Sequence, residues 1–159
     1  MVHHGDTVLI QARLKGDRAI HFNDETKWSF RVKTIDGKSI FDVKRFSLHR
    51  AGARNYIYEW IFHKALHSID LIGLKYKFIR LKVDGCDLGI YAFEEHFENS
   101  LITNNGLPLG PIIRFNEDYS LDDFETTYVD PFQDKYWQKN DPELMQMAIS
   151  NLELWRRGK

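Results

Sequence analysis

The stretch RNYIYEWIFHKALHS, Arg54 to Ser68, decides the fold, because here the apolar pattern changes from a period of two to one near 3.6. Ile57, Trp60, Ile61, Ala65 and Leu66 recur at i, i+3 and i+4, the stripe of an amphipathic helix whose apolar face is expected to meet a core. Everything before it reads as strands. TVLIQARL alternates in part and stops at KGD, where Gly16 and Asp17 suit a turn. WSFRVKT sets Phe30 and Val32 on one face and Ser29, Arg31 and Lys33 on the other. The turn Asp36-Gly37-Lys38 leads to a third strand in IFDVKRFSLH.

After the helix, KYKFIRLKV and CDLGIYAF flank Asp84-Gly85, the dipeptide of a tight primed hairpin turn. A helical turn is expected around EEHFENSLIT, and GPIIRF is a short apolar segment. The acidic, aromatic run from Asn116 to Asn140 has no clear period and reads as a loop. DPELMQMAISNLELWRR has the marks of a helix, with Asp141 as N-cap, Pro142 at the first helical position and Gly158 just past the end. The expected fold class is α+β: an antiparallel sheet of about five strands with a packed helix, plus a carboxy-terminal helix. Three strands, a helix and two strands leading to a hinge is also the element order of a protein-kinase amino-terminal lobe.

Composition narrows the function classes. With 43% hydrophobic and 14% aromatic residues the chain can bury a substantial core, and 159 residues suit one domain. Twenty-two basic side chains against 23 acidic give a formal charge of -1, so nothing global recruits nucleic acid or an anionic membrane. Any phosphate affinity has to be local. The single cysteine, Cys86, makes no internal disulfide, and with no histidine or cationic helix end beside it in sequence it is not expected to act as a nucleophile. No apolar run reaches membrane-spanning length, and the amino terminus lacks a signal peptide's unbroken apolar region.

Four blocks in order, RLKGD…H…KWSFRVK, RFSLHRAGARNYIYEWIFHKAL, GIYAFEEHF and GPIIRFNED, resemble the CotH kinase family, named after spore coat protein H, from about Arg13 to Asp118. The resemblance implies an atypical protein-kinase-like fold and phosphorylation of proteins with ATP and a divalent metal such as magnesium. Nucleotide and a protein substrate are then the partners, with no nucleic acid, and the setting is a spore coat or an extracytoplasmic surface. Residues 1–118 would form the kinase-like amino-terminal lobe, 119–140 a connection, and 141–159 a helix leading toward a missing second lobe.

Site residues follow one at a time. Within the resemblance Lys33 holds the nucleotide phosphates with Arg31 beside it, since a transferring phosphoryl group gains most from fixed positive charge. Counting strands points instead to Lys44, on the strand just before the helix. Glu59 would orient the lysine from mid-helix, although a glutamate there also serves neighbours four residues away. Lys15, Gly16 and Arg18 would replace the glycine-rich loop, with one glycine where ordinary kinases have three. The backbone of Phe93 to Glu95 would meet adenine while Glu94 or Glu95 reaches the ribose; two glutamates also suit a helix start.

The family's catalytic and metal-binding aspartates lie beyond its GPIIRF-like block, and nothing after Phe115 resembles them. Asp118, Asp122, Asp123 and Glu125 match no EF-hand or other metal spacing. Glu59, His63 and His67 share a helix face but lack the H-E-x-x-H order of a zinc site. Trp28, Trp60, Trp137 and Trp155 sit on apolar stripes that core packing accounts for. The expected function is the nucleotide-binding part of a kinase truncated before its catalytic carboxylates, the alternative being a non-catalytic surface or coat interaction module.

Overall fold

The computed structural model describes residues 1–15, 27–115 and 129–158. Its contacts divide the chain into two compact units, Met1–His96 and Phe97–Lys159.

The first unit has a small ribbon, β1 (Val2–His3) with β2 (Asp6–Thr7), then β3 (Ile10–Leu14), β4 (Phe30–Thr34), β5 (Arg45–Arg50), helix α1 (Tyr58–Ser68), β6 (Tyr76–Val83) and β7 (Cys86–Glu95). The last five strands form one antiparallel sheet in the order β3-β4-β5-β7-β6, so the fold class is α+β as the sequence predicts. Period-two alternation gives this sheet two unlike faces. One carries the core: Val32, Phe46, Leu48, Tyr91 and Phe93, closed over by Val8, Ile40 and Val43. The Phe46 and Phe93 rings stack 4.5 Å apart, and each such buried side chain contributes roughly 1.5–3 kcal/mol. The other face is polar.

Two strands are shorter than expected, each for a local reason. TVLIQARL breaks at Val8 and Leu9: Val8 turns into the core, and the Leu9 N–H donates to Asp36 Oδ2 at 2.9 Å instead of continuing a ladder. The third strand starts only at Arg45, because Ile40 and Val43 exchange two 3.0 Å backbone bonds around Phe41 and Asp42, both at positive φ. The hairpin turn matches its signature, with Asp84 at φ 50° and Gly85 at φ 82°.

Helix α1 departs most from expectation. A 3-10 turn at Ala51–Arg54 ends on Asn55 and Tyr56, both left-handed, so the α-helix begins at Tyr58 and not at Arg54. It is also turned over. Glu59, His63 and Leu66 are its less exposed positions and His63 is buried, while Ile57, Ile61 and Phe62 stay about half exposed. The reason is what they face. Leu74 N–H donates to His63 Nδ1 at 3.2 Å, and His67 Nε2 bonds Gly73 O at 3.0 Å, so the helix is tied to the connection leading into β6 through hydrogen bonds that buried polar groups require.

The second unit holds α2 (Asn99–Asn104), the ribbon β8 (Ile113–Phe115) with β9 (Val129–Pro131), α3 (Asp134–Asn140) and α4 (Pro142–Arg156). The run 116–140, expected to be a loop, thus contains β9 and α3; two turns of helix around one buried residue, Trp137, are too short to show a stripe. Helix α4 has the expected cap, with Asp141 Oδ1 accepting from Leu144 N–H at 3.0 Å. Of the four tryptophans only Trp137 is buried; Trp28, Trp60 and Trp155 are exposed, against the core expectation. No described helix is long and apolar enough to cross a membrane.

Candidate functional site

Strand register brings the basic residues together. Arg13 stands directly opposite Arg31 across β3 and β4, and Lys33 directly opposite Arg45 across β4 and β5. All four side chains lie on the polar face, where with Gln11 and His96 they line a cleft of about 450 Å³. Arg13, Arg31 and Lys33 make no ion pair with any described residue. Burial, with Arg13 opposite, holds the Arg31 guanidinium below its ordinary pKa, while Glu94 works the other way.

Beside the cleft lies a buried carboxylate. Glu94, near the end of β7, accepts from Lys15 Nζ at 3.0 Å and from His49 Nε2 at 3.1 Å, with an Arg54 guanidinium nitrogen 3.8 Å away. Burial works to raise its pKa, but the His49 hydrogen bond and the Lys15 charge outweigh it and hold the carboxyl well below the usual carboxylate range. His96 shares a 3.0 Å hydrogen bond with Ser47 Oγ. Burial first, then Arg31, Lys15 and Arg45, lower its pKa to about 4 against the pull of Glu94, so the imidazole is neutral at pH 7. The Tyr76 hydroxyl, buried with no hydrogen-bond partner among the described residues, is pushed up by burial and by Glu94 and Glu59.

The structure sorts the sequence-derived residues. Lys33 and Arg31 line the cleft. Lys44 is exposed, and one residue out of step with Arg45, so it falls outside the cleft lining. Lys33 and Glu59 are not brought together: the Glu59 carboxylate lies 3.5 Å from His63 Nε2, and Lys33 has no carboxylate partner among the described residues. Lys15 is committed to Glu94. Glu94 and Glu95 point to opposite faces, and Glu95 accepts from Lys75 N–H at 2.9 Å away from the cleft. His63 and His67 pin the connection between α1 and β6. Gly16, Arg18, Asp118, Asp122, Asp123 and Glu125 lie outside the described residues.

Sequence reasoning missed Arg13, Arg45, His49 and His96. A signal was present for one of them, since RLK at 13–15 repeats the cation spacing of RVK at 31–33 on the neighbouring strand. Arg45 and the histidines needed the register itself. Chemically the cleft presents several donors with fixed positive charge and one neutral imidazole, an arrangement that binds a multiply charged anion of phosphate type. The chain matches no family model and no curated protein.

Proposed function

We propose that this cleft holds the phosphate chain of ATP and that the chain is the nucleotide-binding part of a CotH-type protein kinase. The observation that carries the reading is the doubled opposition of like charges, Arg13 against Arg31 and Lys33 against Arg45. Like charges directly opposite across a sheet destabilise it by roughly 0.2–1 kcal/mol per pair. A bound phosphate chain would turn that cost into charge-assisted hydrogen bonds. The four sequence blocks and the order of strands and helix support the family reading.

Magnesium is a poorer fit than the nucleotide. No three metal-ligating side chains converge among the described residues, and the nearest buried carboxylate, Glu94, is occupied by Lys15 and His49. The described residues therefore bind and orient, and no transfer step is assigned to them. The same shortage of free carboxylates supports the second reading, a non-catalytic interaction module on this scaffold.

Titration calorimetry with ATP and magnesium tests the assignment. Wild type is expected to bind, Lys33→Ala to bind roughly tenfold more weakly for loss of one charged hydrogen bond, and Lys44→Ala to match wild type. Equal heats for wild type and Lys33→Ala, or none for wild type, would remove the nucleotide from the cleft.

A further inference from the structure

Helix α1 presents its polar row inward and its apolar row outward. Ile57, Ile61, Ala65 and Ile69 follow one another at intervals of four, all exposed, so they run as a straight uncharged ridge along the outer side. Tyr58 and Phe62 flank this ridge on one side, Trp60 and Lys64 on the other, and Tyr56 and Leu71 extend it at the ends; every large apolar side chain among these is 38% exposed or more. Together they offer on the order of 800 Å² of mainly apolar surface, the contribution of one partner to a standard interface and more than a monomer's largest patch normally reaches.

We infer that this face is a homodimer interface in which two copies of α1 pack antiparallel about a two-fold axis at Ile61. A second copy is the occupant that the ridge itself specifies. The axis sets Ile57 against the small Ala65 of the other copy, a large residue into a short one, with Ile61 against itself. It gathers Tyr58 and Phe62 of both copies along one edge and brings each Trp60 beside the other copy's Lys64. Within one chain Lys64 Nζ already lies 5.8 Å from the Trp60 ring centre, so the second copy adds another cation–π contact of the same kind. No charged residue sits on the central ridge to be desolvated. The inference is independent of the nucleotide reading.

Light scattering coupled to size exclusion, run on the full chain from about 1 μM to about 200 μM, tests it, because interfaces of this size hold anywhere from micromolar to tighter. Wild type is expected to reach twice the 18.8 kDa monomer mass, and Ile61→Asp to dissociate at least ~100-fold more readily by burying an unpaired charge, with circular dichroism unchanged. In a Cys86→Ser background, Ile61→Cys is expected to form an intermolecular disulfide on mild oxidation, while Ser68→Cys, two turns from the axis, is not. A monomer at every concentration, a dimer indifferent to Ile61→Asp, or equal cross-linking at both positions would overturn the assignment, whatever else α1 then binds.

Discussion

At the scale of the residue, Arg31 carries charge that the free protein does not need. It faces Arg13 across the strand pair, is partly desolvated, and pairs with no described carboxylate. Arg31→Gln is therefore expected to act with opposite signs on the two measurable quantities: it raises stability in urea by ~0.5 kcal/mol through relief of like-charge opposition, and it weakens ATP in calorimetry. A fall in both would mean that the side chain holds the sheet together and no ligand. His96 makes the second residue-scale expectation. Its folded pKa is about 4 against an ordinary 6.5, so between those values the unfolded chain binds the extra proton and the folded chain does not. Stability is full above pH 6.5 and falls as pH drops toward 4. His63, lowered chiefly by burial with Glu59 opposing, shares that sign. Glu94, whose folded pKa is depressed, adds its own loss only below about 4.5, where the unfolded carboxyl takes up its proton. Urea midpoints measured from pH 7 to pH 4.5 should decline in wild type and decline less in His96→Gln. Identical profiles would dismiss the histidine as the cause.

At the scale of the element, what could be read from sequence was whatever depends on neighbours close along the chain. The Asp84-Gly85 turn is such a case, since two successive positive φ angles require these residue types wherever the hairpin sits. Gly85→Ala meets no atom within 4 Å, so its expected cost, about 1 kcal/mol in chemical denaturation, is purely backbone. A cost near zero would mean that the turn relaxes to another type. The cap of α4 is legible for the same reason, because Asp141 reaches an N–H only three residues away. Helix α1 shows the limit. Its period was readable, but the direction of its stripe was not: a 3.6-residue pattern says that one face differs from the other and leaves open which one meets the sheet. The connection into β6 decided it, since Leu74 N–H donates to His63 and His67 bonds Gly73 O.

At the scale of the whole molecule, every described residue of the cleft and of the Glu94 network belongs to the first unit, Met1–His96. A chain ending after Glu98 is expected to unfold cooperatively in urea and to bind ATP as the full chain does. Loss of the cooperative transition would make the second unit part of the first one's core. The sequence by itself determined the α+β class, the five strands, the hairpin turn, the final helix and the alternation that puts Arg31 and Lys33 opposite Phe30 and Val32, because each of these rests on local spacing and backbone preference. Only the tertiary structure decided that Arg13 meets Arg31, that Lys33 meets Arg45 and not Glu59, and that Glu94 is claimed by Lys15 and His49. Strand pairing joins residues dozens of positions apart, and a register is chosen by the burial of the apolar face as a whole. The polar face receives its neighbours as a consequence of that choice, so its chemistry could not be read one strand at a time.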